Sequence, residues 1–194
     1  MRIISGKWRG IRLQAPTNLP VRPTTDQAKE ALFNILINSF DFDGLKILDL
    51  FSGTGNMSYE FASRGCTDIT CVDKHLNCVR FIKETFQKLK FENANLIVDD
   101  VFKFLKLEQT TYDIIFADPP YDIPNIQQFP KMFSEWLADD GIMAFLEELG
   151  LKNEIEFPTD LSSKRFIFRN GKFHGISPRP LSLLGTGLIS WSGK

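Results

Sequence analysis

The sequence is short of the residues that carry most familiar catalytic and metal chemistry. Histidine occurs twice: His75 precedes a helical run, and His174 lies in a Gly- and Pro-rich tail, so neither marks a base or a ligand. Cysteine occurs three times, at Cys66, Cys71 and Cys78. An odd number at these spacings fits neither a disulfide framework nor a zinc site, and no metal is expected. Reduced thiols in a cytoplasmic protein are the expectation. No apolar run approaches a membrane span and the first residues lack the apolar core of a secretory leader, so no membrane partner is expected either.

A dominant charge is missing too. The chain has 23 Lys and Arg against 24 Asp and Glu, a net charge of -1, which excludes a globally basic nucleic-acid binder. The balance hides an asymmetry: Arg2, Lys7, Arg9, Arg12, Arg22 and Lys29 face the single acid Asp26 within residues 1–29, a local cation of about five charges. Polyanions could bind there.

What is present is one domain's worth of core, 194 residues at 43% hydrophobic. Residues 1–20 read as a β-hairpin with a basic turn, SGKWRG, whose cations either bind a polyanion or guard a solvated edge. Residues 21–146 read as an alternating core. Thr24 with Gln27 signals a helix start, followed by Ala28, Ala31, Leu32, Ile35 and Leu36 at helical spacing. LKILDL, DITCVD, ANLIVDD and YDIIFAD then read as buried strands, separated by helical runs such as HLNCVRFIKETFQKLK, with Leu76, Val79, Ile82, Phe86 and Leu89 on one face. A further helix and a fifth strand come from FPKMFSEWLADDGIMAFLEE. Alternation of this kind implies crossovers and a parallel sheet covered on both faces. In residues 147–194, KRFIF and LISW are the candidates for two closing strands.

Each of the first four strands runs into aspartate: Asp49, Asp73, Asp99 with Asp100, and Asp118. Ligands of open α/β sheets bind beyond the carboxyl ends of the strands, so these acids line the expected pocket together with the loop FSGTGN. A pyrophosphate would be repelled there. The Gly53-Thr54-Gly55 turn, with Asp73 twenty residues after Gly53, only half-matches the dinucleotide fingerprint, since Ser58 stands where a third glycine belongs. A donor with net positive charge, S-adenosylmethionine, suits the acids better. Helix capping is the alternative role for each acid taken singly, and four aligned at one sheet edge favour the ligand.

DPPY at 118–121 is a rigid corner. Two prolines remove two N–H donors; Asp118 and the Pro119 carbonyl remain as acceptors, and Tyr121 adds a ring. A planar amine stacked on Tyr121 could place its two N–H bonds on those acceptors, as the exocyclic amine of a nucleobase would.

MRIISGKWRG, VRPTTDQAKEALFNIL, ILDLFSGTGNMSYEFASRG, VDKHLNCV and FADPPY, in this order, closely resemble the RsmD-type bacterial 16S rRNA (guanine-N2)-methyltransferases over residues 1–146. The resemblance implies a Rossmann-like α/β methyltransferase fold with a mostly parallel seven-stranded sheet and an N-terminal β-hairpin extension. It also implies S-adenosyl-L-methionine as cofactor and a guanine of 16S rRNA as acceptor, met in a small-subunit particle by a monomer. Carried over by position, Asp49, Phe51, Gly53 and Gly55 hold the methionine side of the cofactor, Asp73 the ribose, and Asp100 with Val101 the adenine. Thr25, in the RPTTD motif, closes over it. Asp118, Pro119, Pro120 and Tyr121 are the implied catalytic corner, and Arg2, Lys7, Arg9 and Arg12 the implied RNA contacts. The family's Tyr-Gly pair before a last strand is missing from RNGKFHGISPRPLSLLGTGLISW. Adenine-N6 methylation of DNA or RNA, and RNA binding without catalysis, are the competing readings.

Overall fold

The computed structural model describes residues 1–17, 19, 24–120, 123–147, 165–170 and 172–174. Within them the sheet has seven strands: β1 (Lys46–Leu50), β2 (Asp68–Asp73), β3 (Ala94–Val98), β4 (Tyr112–Ala117), β5 (Leu137–Glu147), β6 (Arg165–Asn170) and β7 (Lys172–His174). Their order is β3-β2-β1-β4-β5-β6-β7, with every neighbouring pair parallel except β6 and β7. Because the chain winds outward from β1 in one direction to β3 and then returns to β4 on its other side, β1 and β4 flank the point where ligands settle in such sheets.

Five helices cover the two faces: α1 (Asp26–Leu36), α2 (Asn56–Ser63), α3 (Leu76–Leu89), α4 (Val101–Leu107) and the short α5 (Phe129–Phe133). The period-two alternation of each strand sorts its residues between two cores. Ile47, Ile69, Cys71, Ile114 and Phe116 pack with Leu32, Phe33, Phe61 and Phe86 on the α1–α3 face. Leu48, Leu50, Val72, Ile115 and Ala117 pack with Val101, Leu105, Phe129 and Phe133 on the other. Central strands buried on both sides explain the unbroken apolar runs.

Residues 1–13 form a hairpin shorter than the expected 1–20 and closed by a single antiparallel bridge between Arg2 and Arg12, with Ile3 N–H donating to Ile11 O at 3.0 Å and Gly10 N–H to Ile3 O at 2.8 Å. It does not stand in solvent. Ile3 and Trp8 are buried, Lys7 and Trp8 donate their backbone N–H groups to Ser63 O at 2.6 Å and Ser63 Oγ at 3.0 Å, and Trp8 meets Phe91 edge-on. Gly6, at φ +80, sits so close to α2 that a Cβ would lie 1.8 Å from Ser63 O. No other residue fits.

Four expectations shift. Thr25, not Thr24, caps α1, accepting from Ala28 N–H at 3.2 Å, and the buried stripe includes Lys29 and Phe33 in place of Ala31 and Ile35. Leu76 is largely exposed, and Cys78 takes its place on the buried face of α3. The second closing strand described is KFH, within the stretch read as a connection; LISW lies outside the described residues. Cys66, Cys71 and Cys78 are free and buried, and no described helix is long and apolar enough to cross a membrane.

Candidate functional site

The four acids arrive where the strands predict. Asp49 ends one residue short of the edge of β1, Asp73 closes β2, Asp99 and Asp100 follow β3, and Asp118 follows β4. Parity places Asp49, Asp73 and Asp118 on the face that carries Ile47, Cys71 and Phe116, the side of α1 and α2.

They do different work. Asp73 accepts from Gly53 N–H at 2.8 Å and His75 N–H at 2.7 Å, so its carboxylate ties the glycine loop to β2 and starts the turn into α3. Asp100 caps α4 through Phe102 N–H at 3.0 Å and Lys103 N–H at 3.2 Å, with the buried Val101 as the first helical residue. Capping therefore accounts for part of what Asp73 and Asp100 do, and lone pairs remain on both for a ligand.

Asp49 is another matter. It is 1% exposed; Ser58 Oγ donates to its Oδ2, while Oδ1 is buried with no partner among the described residues. Burial, with Asp118 and Asp73 nearby, outweighs the Ser58 bond and lifts the carboxyl from 3.8 to about 7. Ser52 Oγ, in the adjoining loop, is likewise buried without a partner among the described residues. A buried acceptor and a buried hydroxyl beside a glycine turn are the fit that a cationic group bearing N–H donors needs.

The loop is shaped for close approach. Phe51 adopts φ +58, unusual for a bulky residue, and its ring packs on Phe102 and Phe129. Gly53 and Gly55 are also left-handed, at φ +52 and +74. A Cβ on Gly55 would press Ile82 at 2.8 Å and Tyr59 at 3.0 Å.

At the corner, Asp118 is half-buried, Pro119 buried and Pro120 exposed. Pro120 O accepts from Ile123 N–H at 3.3 Å. Tyr121 and Arg22 lie outside the described residues. Of the two threonines in RPTTD, Thr24 reaches the acids, its Oγ1 donating to Asp118 Oδ2 at 3.2 Å, while Thr25 Oγ1 accepts the capping bond of α1 and keeps its proton to donate.

The hairpin borders this crevice. Arg2 pairs with Asp26 of α1 at 3.3 Å, two residues after Thr24, and Thr54 Oγ1 of the glycine loop lies 3.7 Å from Met1 Sδ. Arg2, Lys7, Arg9 and Arg12 are all exposed, with Lys7 Nζ 5.5 Å from the Trp8 ring centre.

Sequence reasoning missed the polar group beneath. Lys29 and Glu60 are fully buried and 3.3 Å apart. Lys29 also donates to Arg2 O and to Asn56 Oδ1, while Glu60 accepts from Ile4 N–H and pairs with Arg64 at 3.5 Å. The available signal was a Lys next to Ala28 and a Glu between Tyr59 and Phe61, charges inside apolar surroundings.

Comparison with known proteins shows the family and the fold. The family model described as "Conserved hypothetical protein 95" matches residues 1–165. The ribosomal RNA small subunit methyltransferase D of Buchnera aphidicola subsp. Baizongia pistaciae is 30% identical over 167 residues, 85% of each chain. Among solved structures, a hypothetical protein of Thermus thermophilus superposes with a TM-score of 0.64 at 29% identity, covering 73% of this chain and 82% of that one. The protein SMU.776, complexed with SAH, gives 0.52 at 28% identity over 59% of this chain and 34% of its own. By a family-model match over most of its length and a relative 30% identical over 85% of each chain, the chain belongs to the "Conserved hypothetical protein 95" family, that of the ribosomal RNA small subunit methyltransferase D proteins.

Proposed function

We propose that the chain methylates the exocyclic N2 amine of a guanine in 16S rRNA, using S-adenosylmethionine, on RNA held in a small-subunit particle. The observation that carries this reading is the juxtaposition of two unlike acids at the ends of neighbouring strands: buried Asp49, with an oxygen unpartnered among the described residues, and half-buried Asp118 at a proline corner. One suits a fixed cation, the other a polar group that comes and goes.

Bound S-adenosylmethionine supplies an electrophilic methyl on a sulfonium. Asp49 and Ser52 offer its ammonium and carboxyl end a buried acceptor and a buried hydroxyl, and the Gly53–Gly55 turn lets it approach the backbone. Asp73 and Asp100 offer acceptors to the ribose and adenine. Asp118 and Pro119 O hold the two hydrogens of the guanine amine, which favours a pyramidal nitrogen and directs its lone pair. The amine is a weak nucleophile, so positioning carries the catalysis; well-oriented reactants gain about 7 to 11 kcal/mol. Its proton becomes acidic once the nitrogen is methylated and cationic, so Asp118 need not be a strong base. An unpaired or flipped base reaches the corner at a cost of a few kcal/mol, which stacking on Tyr121, about 1 to 3 kcal/mol, offsets. Arg2, Lys7, Arg9 and Arg12 would hold the flanking phosphates.

Transfer of labelled methyl from S-adenosylmethionine to undermethylated 30S subunits, naked 16S rRNA, tRNA and DNA tests the reading. Label on a small-subunit guanine N2 is expected; label on adenine N6, or in no nucleic acid, would replace it with an adenine methyltransferase or a non-catalytic RNA binder. Asp118→Ala should abolish transfer while calorimetry finds cofactor affinity largely intact. Full turnover in that variant would remove Asp118 from the mechanism.

A further inference from the structure

Asp118 does not hold its position alone. Three hydrogen bonds lead to it from the interior: Lys29 Nζ donates to Asn56 Oδ1 at 3.0 Å, Asn56 Nδ2 donates to Thr24 O at 2.7 Å, and Thr24 Oγ1 donates to Asp118 Oδ2 at 3.2 Å. Chemistry fixes the direction of the first two. An ammonium can only donate and a carbonyl can only accept, so Asn56 must turn its oxygen to Lys29 and its NH2 to Thr24. Lys29 is fully buried and Asn56 nearly so, which removes water as a competing partner. The Thr24 backbone is held from the other side as well, because Thr25 is locked as the cap of α1.

We infer that Thr24 is a positioning residue for Asp118, set in place by the Lys29–Asn56 pair, so that the carboxylate presented to the acceptor amine has a fixed plane. The inference rests on the methyltransferase reading above. Asn56 is also the first residue of α2, directly after the glycine loop. One amide thereby joins the segment that shapes the cofactor site to the segment that steadies the acceptor site. An in-line transfer needs both, and a misplacement near 1 Å can cost about a hundredfold in rate.

Two near-isosteric changes test it. Thr24→Val keeps the shape and removes the hydroxyl; Asn56→Asp keeps the oxygen facing Lys29 and sets a second oxygen against Thr24 O, where nothing can be donated. Each should lower kcat for methyl transfer to RNA by about ten- to a hundredfold, with KM for RNA and the calorimetric Kd for S-adenosylmethionine within about threefold of wild type. Thr24→Ser, which restores a donor, should recover most of the rate. A merely structural role would instead lower the melting temperature and cofactor affinity together with kcat. That pattern, unchanged kcat in Thr24→Val or Asn56→Asp, or equal loss in Thr24→Ser and Thr24→Val would each overturn the inference. Wild-type protein that labels no RNA would sink the underlying function and this role with it, and would be recognised before any variant is made.

Discussion

Asp49 illustrates how much one buried carboxyl can decide. Burial lifts it to about 7, above the value of 3.8 that it regains in the unfolded chain. Between those two values the unfolded chain binds fewer protons than the folded one, so stability from this residue falls as pH rises from about 4 to about 7 and is level above that. In cofactor-free protein, Asp49→Asn should therefore gain on wild type by a few kcal/mol between pH 5 and pH 8, as read by denaturant melts. Binding runs the other way. A cofactor ammonium favours the ionised carboxylate, so affinity should rise with pH up to about 7 and uptake at pH 6 should release a proton. Calorimetry in buffers of different ionisation heat would reveal it; a flat profile would mean that Asp49 is not the cation's partner. The sequence made the acids visible because each ends an apolar run. Their division of labour was hidden, since whether a carboxylate is taken up by a local helix cap, as Asp100 is, or is buried with an oxygen unpartnered among the described residues, as Asp49 is, also depends on what the fold packs around it.

Among elements, the junction of α1, α2 and the hairpin is the most tightly specified. Lys29 and Glu60, both at 0% exposure, exchange an ion pair that neither can replace with water. Lys29→Met should cost about 3 to 5 kcal/mol, because Glu60 stays buried without its main counter-charge. Lys29→Met with Glu60→Met should cost less than the two single changes added together, and strict additivity in a double-mutant cycle would show that the pair is not coupled. This junction was poorly legible. A Lys or Glu in an amphipathic helix reads as its solvated face, and here that face is covered by residues 1–13, whose docking onto Ser63 leaves no local sign beyond Gly6. Strands were easier to read: β1, β2 and β4 are buried along nearly their whole length and run into acids, whereas β3, read as buried, is the edge strand and leaves Asn95 and Val98 exposed. β7 was not, because three residues at the sheet edge carry no periodicity to detect.

For the molecule as a whole, a net charge of -1 coexists with a basic rim and an acidic crevice. Cations on the hairpin and acids at the strand ends meet across the N-terminus of α1, where Arg2 touches Asp26. RNA affinity should consequently fall steeply with salt although the protein is nearly neutral. Replacing Arg9 and Arg12 with Ala should lower the slope of log affinity against log salt by about 0.7 to 0.9 for each phosphate no longer neutralised, leaving cofactor binding untouched. An unchanged slope in filter binding would return the hairpin to a structural role.

The clamp at Gly6 has a geometric outcome. With its turn pressed against Ser63 and its first residues hydrogen-bonded to Lys29 and Glu60, the arm is fixed on α1 and α2. Under the proposed RNA reading it would act as a caliper: an RNA loop would be chosen by whether its reactive nucleotide reaches the corner while the arm holds its flanking phosphates.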